Sequence, residues 1–309
     1  QSKYTTQLKE TDKVEILSGL FNGVTTGTPI SMLIPNVDAI SKSYENFKDI
    51  YRPGHADLSY DEKYGIRDYR GGGRSSNRET VGRVAAGAIA KKLLKAMKIK
   101  TFGFVQQIGN IKCEKININY IEKNSLRIAD KGKFDEMANF IDSVRKSGDS
   151  IGGVIEVRST GMPAGLGSPV FEKLDARLSS AIMGIGGVRG FEIGLGFQVA
   201  SMKGSEVNDI MVGKSKGKVK FRTNNAGGIL GGISNGNDLI LRFALKPTSS
   251  ISQKQDSIDN KGKQKKLQVK GRHDPCLCPR AVPIAEAMVN LVLLDCILEN
   301  NLSTVKKIT

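Results

Sequence analysis

A glycine-rich segment flanked by arginines leads into a stretch of helical periodicity. It reads Arg70-Gly71-Gly72-Gly73-Arg74-Ser75-Ser76, and Arg78 follows. Free backbone N–H groups at a helix N-terminus, together with the helix dipole, attract phosphate groups. The segment has neither the G-x-x-x-x-G-K-[ST] pattern of a Walker loop nor the G-x-G-x-x-G pattern of a dinucleotide fold. The sequence therefore predicts an anion site of another kind, while a glycine turn with an ordinary serine cap would also explain Ser76.

Two histidines occur in the chain, and each lies in a short loop beside an arginine and an aspartate. His55 stands in the segment Arg52–Asp57, and His273 stands in Gly271–Cys276. Imidazole exchanges protons near neutral pH, and an adjacent arginine suits an anionic ligand. The pattern therefore favours proton transfer beside an anion. Spacing alone leaves open that these histidines only form hydrogen bonds in their loops.

Two further polar segments predict another wall of a ligand site. Thr223–Gly236 is rich in glycine and asparagine, and Lys246–Ser250 combines a lysine with three hydroxyl side chains. A metal site built from His273, Cys276, Cys278 and Cys296 is not expected, because two cysteines one residue apart project awkwardly for tetrahedral coordination. The four cysteines lack disulfide-framework spacing, which favours a reducing cytoplasm.

The periodicity of apolar residues predicts the elements that must position these side chains. A capping box of Ser76 and Glu79 starts a helix whose apolar positions continue to Met97. Other helices are predicted at 134–145, at 168–183 with Ser168 as N-cap and Pro169 at the first position, and at 279–298. Strands are predicted at 14–17, 29–33, 99–105, 151–157, 190–199 and 228–245, the last folded into a hairpin at Asn235-Gly236, and 36–74 is predicted to be loop-rich. The mixed order without a linker indicates one α+β domain over 1–309.

Composition narrows the classes of function. The chain has 309 residues, a net charge of +16 and 35 glycines, so its surface attracts anions of some kind. No apolar run reaches the length of a membrane span, because Glu286, Asn290 and Asp295 interrupt the best candidate. The N-terminal residues predict neither a signal peptide nor a transit peptide. The lysine-rich segment 253–270 is interpreted as a solvated hairpin or flexible loop, with ligand binding as the alternative.

Several long motifs in order resemble the signature segments of chorismate synthases. They are Arg52–Asp57, Tyr64–Ser76, Asn225–Gly236 and Gly271–Cys276. The resemblance covers nearly the whole chain and implies a single-domain β-α-β sandwich assembled as a cytoplasmic homotetramer. It implies a lyase of the shikimate pathway that converts 5-enolpyruvylshikimate 3-phosphate to chorismate by 1,4-anti elimination of phosphate. The reaction requires reduced FMN without net redox change, and the family is also associated with NADP.

The resemblance also implies roles for individual residues. We add two catalytic hypotheses: His55 would donate a proton near the flavin, because reduced FMN bears negative charge, and Asp274 would take part in removing the ring proton. The alternative for Asp274 is that it only caps a turn before the last helix. The flavin contacts would be Arg74, Ser75, Ser76, Gly186, Gly187, Gly231, Lys246, Pro247, Thr248, Ser249, Ser250 and Arg272. The substrate contacts would be Lys3, Arg52 and Arg78, with Lys3 standing where the family more often has arginine. No metal is expected.

One segment of the family pattern has no match. The family has a Gly-Glu-Ser-His-Gly segment whose histidine is assigned to protonating the departing phosphate, and this chain is expected to start downstream of it. The resemblance therefore does not make His273 a substitute. A basic nucleic-acid-binding module is the alternative function, although 6% aromatic residues and no tryptophan are unfavourable for base stacking. The resemblance implies neither a nucleic-acid nor a membrane partner.

Overall fold

The computed structural model describes residues 4, 13–36, 41–70, 74–215, 218–269 and 274–303. The predicted site residues Lys3, Arg272 and His273 and the glycines at 71–73 lie outside the described residues. The α-helices are α1 Asp57–Tyr64, α2 Thr80–Ala96, α3 Phe134–Lys146, α4 Leu174–Met183, α5 Gly204–Val207 and α6 Cys278–Ser303. The strands are β1 Glu15–Ile16, β2 Leu20–Phe21, β3 Val24–Thr25, β4 Met32–Leu33, β5 Lys100–Ile108, β6 Ile111–Lys112, β7 Gly153–Thr160, β8 Val188–Ile193, β9 Met211–Ser215, β10 Lys218–Phe221, β11 Ile229–Leu230, β12 Ile233–Ser234, β13 Leu239–Leu245, β14 Gln255–Ile258 and β15 Gln264–Leu267. This mixture confirms the predicted α+β class.

A five-stranded antiparallel sheet forms the centre of the described structure, in the order β6-β5-β7-β13-β8. Its inner face packs against α6, because a Cβ at Gly103 of β5 would lie 3.3 Å from Val282 of α6 and 3.4 Å from Val157 of β7. Side chains alternate along a strand, so Glu156 of β7 points to the opposite face. There Glu156 pairs with Arg158 at 2.6 Å. The sheet therefore has an apolar inner face and a partly charged outer face.

Helices α2 and α6 cross in direct backbone contact. A Cβ at Gly87 of α2 would lie only 2.3 Å from the Cβ of Ala287 of α6. Real Cβ atoms do not approach so closely, so a glycine is what allows the two helices this separation. The core continues from this crossing into α3 and α4 through the buried Ile141 and Leu178.

The last helix, α6, is long and apolar enough to cross a membrane by length and composition alone. Its most apolar stretch has a mean hydropathy of 1.9, so the sequence-based exclusion of any spanning segment was too strict. In the structure 56% of that stretch is buried against the rest of the chain. A core helix passes the same test, and the packing of α6 on α2 and the sheet is that of a core helix.

In the first hundred residues, the observed secondary structure agrees with the predicted one in part. The predicted strands at 14–17 and 29–33 pair as β1 and β4, and Asn22-Gly23 turns the small hairpin of β2 and β3. The loop prediction for 36–74 was wrong at α1, an eight-residue helix that ends at Gly65 with φ +69°. No side-chain cap marks its start, so the start signal was missing from the sequence. Gly65, a residue type that commonly ends a helix, was present in the sequence, but the prediction did not take it as a helix end.

The prediction for α4 placed its start too early. Ser168 and Glu172 exchange two backbone hydrogen bonds of 2.9 and 3.0 Å, and this closed turn takes the place of a first helical turn. The helix begins at Leu174 and ends, as predicted, at Met183. The predicted hairpin turn at Asn235-Gly236 was also misplaced. The chain turns at Gly231-Gly232, where both residues have positive φ, and β11 pairs with β12.

The lysine-rich segment forms the antiparallel hairpin of β14 and β15, which confirms the hairpin interpretation up to Val269. Lys265 pairs with Asp259 and Lys266 with Asp256, so part of its charge is balanced locally. Leu267 and Val269 pack with Phe47 into a small separate cluster. The hairpin thereby supports the segment that precedes His55.

Candidate active site

Most of the predicted site residues surround one cavity of about 650 Å³, which we call the His55 cavity. Its lining from the described residues is Tyr44, Arg52, Gly54, His55, Ala56, Ser59, Tyr60, Asp68, Arg74, Ser75, Ser76, Asn77, Glu79, Arg83, Met183, Gly184, Ile185, Gly186, Gly187, Arg189, Lys246, Pro247, Thr248, Ser249, Ser250 and Leu277. The volume lies within the range of about 300–1,000 Å³ that is usual for small-molecule sites. Loops before α1 and α2, the turn before β8 and the segment after β13 therefore meet at one place.

Arg52, His55 and Asp57 form a compact charged group on one side of the cavity. The guanidinium of Arg52 donates to both carboxylate oxygens of Asp57, through Nε at 2.7 Å and a terminal nitrogen at 2.8 Å. Nδ1 of His55 lies 2.9 Å from Oδ1 of the same carboxylate. A terminal nitrogen of Arg52 lies 3.1 Å from the same Nδ1, but it is closer to Asp57 at 2.8 Å. Because the nearest neighbour of Nδ1 is a carboxylate that can only accept, we infer that Nδ1 carries a hydrogen and that Nε2 is the ring atom able to exchange a proton with a ligand.

The Asp57 carboxylate is ionised throughout the physiological range. Burial raises its pKa, but the hydrogen bonds from Arg52 and His55 outweigh burial and hold the pKa well below its usual value. Its side chain is only 6% exposed, and that of Arg52 is 10% exposed. The buried carboxylate therefore fixes the orientation of both neighbours.

The predicted anion segment forms the second side of the cavity. Ser76 accepts a hydrogen bond from the backbone N–H of Arg78 and begins a 3₁₀ turn, Asn77–Glu79, that leads into α2. The carboxylate of Glu79 pairs with Arg83 at 3.0 Å. This start confirms Ser76 as N-cap, but the predicted capping box was wrong, because Ser76 bonds to the N–H of Arg78 and the Glu79 carboxylate bonds to Arg83. Arg74 and the two serines line the cavity.

The turn before β8 brings its backbone close to that segment. A Cβ at Gly186 would lie 2.3 Å from Oδ1 of Asn77, so the absence of a side chain allows the approach. Gly187 has φ +92° and its carbonyl accepts the N–H of Lys246 at 2.9 Å. Both glycines therefore line the cavity between the turn that leads into α2 and the end of β13.

The third side is the segment after β13. Nζ of Lys246 donates to the carbonyl of Gly54 at 2.5 Å and contacts Oγ of Ser249 at 2.9 Å. Ser249 itself donates to the same carbonyl at 2.6 Å. These contacts tie the segment to the loop that carries His55. Burial lowers the pKa of Lys246, and the positive charge of Arg189 lowers it further.

The cavity has a surplus of positive charge. Five cationic side chains and two carboxylates contribute to its lining from the described residues. Arg52 and Arg83 are paired with carboxylates, whereas Arg74 and Arg189 have no carboxylate partner in the described part of the chain. Unpaired guanidinium groups beside hydroxyl side chains suit phosphate and carboxylate ligands.

A family model for chorismate synthase matches residues 1–298. The chain belongs to the chorismate synthase family. It is 54% identical to a chorismate synthase of Archaeoglobus fulgidus over 97% of this chain and 84% of that protein. It is 52% identical to one of Methanocella arvoryzae, over 96% and 80%, and 53% identical to one of Pelagibacter ubique, over 97% and 84%. A crystal structure of chorismate synthase superposes with a TM-score of 0.74 and 33% identity, covering 93% of this chain and 78% of that one.

Membership of the chorismate synthase family identifies the chain as an enzyme, a lyase of aromatic biosynthesis. It also identifies the α+β fold as that of the same family. The sequence resemblance is thereby confirmed for the family, the fold and the enzyme class.

The structure brings together twelve of the residues predicted from the chorismate synthase motifs. Those lining the His55 cavity are Arg52, His55, Arg74, Ser75, Ser76, Gly186, Gly187, Lys246, Pro247, Thr248, Ser249 and Ser250. Gly231 lies in the turn between β11 and β12, outside the lining. Arg78 also lies outside it, and its guanidinium donates to Oδ1 of Asn36 at 2.7 Å. Lys3 and Arg272 lie outside the described residues.

Asp274 does not line the His55 cavity but contacts a residue that does. Its carbonyl accepts a hydrogen bond of 3.0 Å from the hydroxyl of Thr248, which does line the cavity. Its carboxylate pairs with Arg280 at 3.3 Å and is 11% exposed. Among the described residues, Asp274 therefore contacts the wall through its backbone carbonyl, while its carboxylate pairs with Arg280 of α6.

Among the site residues that the sequence analysis did not assign are four polar or charged ones that shape its geometry. Asp57 was noted in its motif but not assigned a role, although its position two residues after His55 was a usable signal. Arg189 follows directly on the turn at 185–188. Asn77 and Arg83 lie one and seven residues after the Ser76 cap, on the turn and first helical turn that face the cavity. Only the assembled fold shows that these side chains meet.

Proposed function

We propose that this chain converts 5-enolpyruvylshikimate 3-phosphate to chorismate and phosphate in the His55 cavity, with reduced FMN as cofactor. In this elimination a C–O bond to phosphate and a ring C–H bond break in a 1,4-anti relation, and a new double bond forms. The observation that carries the proposal is one basic cavity in which the family motifs converge on His55. Both ligands are polyanions, which the surplus of cationic side chains suits.

The residues present fit a flavin mononucleotide. A phosphate needs cations and hydroxyl or backbone N–H donors, and Arg74, Ser75 and the Ser76 cap supply them at the start of α2. Gly186 and Gly187 line the cavity without side chains, and we propose that the planar ring system lies beside their backbone. When bound, reduced FMN supplies electron density that the overall reaction does not consume.

The side chains of this chain hold and orient the reacting groups. Arg52 is fixed by Asp57 and offers positive charge to a substrate phosphate or carboxylate. His55 is held through Nδ1, so its Nε2 can donate a proton to negative charge developing in the cavity. Lys246 and Ser249 close the wall opposite. Asp274 keeps its proposed part in removal of the ring proton, and its contact with Thr248 gives it a way to position the wall.

We also propose a cytoplasmic homotetramer without nucleic-acid or membrane partners. Large apolar side chains remain exposed, among them Phe171 at 90% and Phe197 at 81%, and a second copy could cover them. The four cysteines are free and buried, as suits a reducing compartment. Light scattering coupled to size-exclusion chromatography measures the number of subunits directly.

The activity is tested by anaerobic phosphate release from the enolpyruvyl substrate with chemically reduced FMN. We expect release that requires both the flavin and the substrate, and a change in the flavin absorbance spectrum on binding. A chain that neither binds FMN nor releases phosphate contradicts the proposal.

The variant Asp274→Asn separates the two possible roles of that residue, because a base is lost while the size of the side chain is kept. Slow elimination with unchanged FMN affinity supports catalysis, and near-normal turnover supports a structural role.

A further inference from the structure

A second cavity of about 670 Å³ lies at the other end of α2, and we call it the Asn290 cavity. The last turns of α2, the start of β5, the 3₁₀ turn Ile118–Lys123 and the first half of α6 enclose it. Its lining is Lys91, Lys95, Lys98, Ile99, Lys100, Thr101, Phe102, Gly103, Ile118, Ile121, Glu122, Arg127, Val282, Pro283, Glu286 and Asn290. It shares no lining residue with the His55 cavity.

The floor of the Asn290 cavity is apolar and its rim is cationic. The floor side chains of Phe102, Ile121 and Val282 are at most 9% exposed. Four lysines and an arginine surround them: Lys91, Lys95, Lys98, Lys100 and Arg127. Such a surface suits an anion that also carries an apolar body.

The basic side chains of the rim are only partly neutralised. Lys91 pairs with Glu286 at 3.1 Å, and Arg127 lies 3.6 Å from Glu122. Lys95, Lys98 and Lys100 have no carboxylate partner within the described ranges. The two lining carboxylates are thus paired with Lys91 and Arg127, and an anionic ligand would supply the counter-charge for the other three lysines.

An unsatisfied donor lies at the base of the cavity. Asn290 of α6 is 1% exposed, and its Nδ2 has no hydrogen-bond partner in the described structure. A buried amide without a partner is uncommon and costs stability. Nδ2 has less than 1 Å² of accessible surface, so an acceptor atom on a bound molecule would satisfy it once the amide turns toward the cavity. This donor points to a ligand independently of the lysines.

Two residues of the cationic rim have an unusual backbone conformation. Three residues other than glycine have clearly positive φ in the described chain, and two of them, Lys98 at +63° and Arg127 at +51°, supply this rim. Side chains other than glycine are disfavoured in that conformation. Pro283 also lacks the N–H that would bond the carbonyl of Pro279 within α6, and Arg127 donates to that carbonyl at 3.1 Å instead. The rim arginine is therefore anchored to the helix.

We propose that the Asn290 cavity binds a small organic carboxylate with a flat apolar body, such as an aromatic acid. The carboxylate would lie among Lys95, Lys98 and Lys100, and an acceptor atom of the ligand would reach Nδ2 of Asn290. A free phosphate does not fit the apolar floor, because the one lining hydroxyl, Thr101, is already bonded to Ser159 at 2.8 Å.

Naphthalene-2-carboxylate is a suitable probe, with the neutral naphthalene-2-carboxamide as its matched competitor. The chain contains no tryptophan, so the fluorescence anisotropy of the probe can be followed with little interference from the protein. We expect saturable binding of the acid that weakens with added salt and at least tenfold weaker competition by the amide. Equal competition by acid and amide overturns the anionic part of the proposal, and no binding at millimolar concentration overturns all of it.

Matched variants show which cavity the probe occupies. Lys95→Gln with Lys100→Gln should raise its dissociation constant at least tenfold, whereas Lys92→Gln with Lys112→Gln removes the same charge outside the cavity and should change it less than twofold. Asn290→Leu keeps the approximate size of the buried side chain and should weaken binding severalfold. Equal losses in the two lysine pairs overturn the site. Loss of binding in Arg74→Ala with retention in the Lys95 and Lys100 variant also overturns it, because the probe would then occupy the His55 cavity.

Discussion

The His55 cavity and the Asn290 cavity are alike in size and charge but differ in what lies beneath the charge. Each is about 650–670 Å³, and each is lined by five cationic side chains and two carboxylates. The His55 cavity is lined by hydroxyl groups, glycines and an imidazole that a buried carboxylate holds in place. Buried apolar side chains and one unsatisfied amide form the floor of the second. Charge therefore attracts anions to both, and the floor decides which anion and whether chemistry follows.

The largest expected effect is that of His55→Asn on turnover. Asparagine retains a donor toward Asp57 but has nothing in place of Nε2, so positioning is kept and proton transfer is lost. We expect turnover to fall by about 10²–10⁴-fold, as is usual for general acid–base catalysis. Steady-state phosphate release measures it, and naphthalene-2-carboxylate binding should stay unchanged. Turnover within a few-fold of the original at every pH would show that His55 is structural.

Removing the charge partner of Asp57 tests the stability of the His55 cavity. Arg52→Met leaves the buried carboxylate with fewer donors, and breaking a buried ion pair in this way costs about 3–5 kcal/mol. The free energy of unfolding in urea measures the loss. Arg52→Met combined with Asp57→Asn should recover part of it, since no unpaired charge remains. Equal stability of the Arg52 variant and the original chain would contradict the assigned role of the pair.

The pH dependence of stability follows from the lowered pKa of Asp57. A carboxylate with a depressed folded pKa contributes fully above its unfolded pKa of about 3.9, and the contribution is lost as the pH falls below that value toward the folded pKa. Asp57→Asn should remove a contribution of about 1.5–3 kcal/mol, typical of hydrogen bonds to a charged group. The free energy of unfolding should therefore fall less steeply for the variant as the pH is lowered below about 4. Parallel curves would contradict the prediction.

Arg74→Ala tests the anion side of the His55 cavity. Loss of an unpaired guanidinium should weaken FMN binding about 10- to 100-fold, which corresponds to about 1.5–3 kcal/mol. The fold should be retained, because the side chain of Arg74 is exposed. Flavin titration measures the affinity, and Lys92→Ala, which removes a charge near the far end of α2 and outside the cavity lining, is the control. Unchanged FMN affinity in Arg74→Ala would remove this residue from the flavin pocket.

The smallest effect is expected at Lys98, where stability and binding should move in opposite directions. Glycine adopts positive φ without strain, so Lys98→Gly should stabilise the chain by about 1 kcal/mol. The same change removes a rim charge and should weaken naphthalene-2-carboxylate binding a few-fold. Thermal unfolding and anisotropy measure the two changes. A variant that is more stable and binds equally well would show that Lys98 has no part in the Asn290 cavity.

The sequence was informative about the first cavity because its residues occur in contiguous motifs. Arg74, Ser75 and Ser76 are adjacent, and the segment from Lys246 to Ser250 is continuous, so their types could be recognised together. The same held for α2, whose apolar residues recur at helical spacing, and for α6, which is a long apolar segment. It failed for α1, which is short and has no side-chain cap.

The second cavity could not be predicted, because its residues are scattered along the chain. Lys95, Arg127 and Asn290 come from three elements, and each alone has an ordinary interpretation as a surface lysine, a loop arginine or a core polar residue. Their convergence depends on how α6 crosses the sheet. The unsatisfied state of Asn290 is likewise a property of packing. Patterns within one segment carry no information of this kind.

The close crossing of α2 and α6 at Gly87 and Ala287 has a consequence for changing this protein by mutation. Helix α2 reaches from the wall of the His55 cavity to the rim of the Asn290 cavity, a span of about 26 Å for 17 residues. Any side chain at position 87 would push the two helices apart and would widen or shear both cavities at once. Specificity at either cavity can therefore be varied through its own lining residues, whereas position 87 offers no independent adjustment.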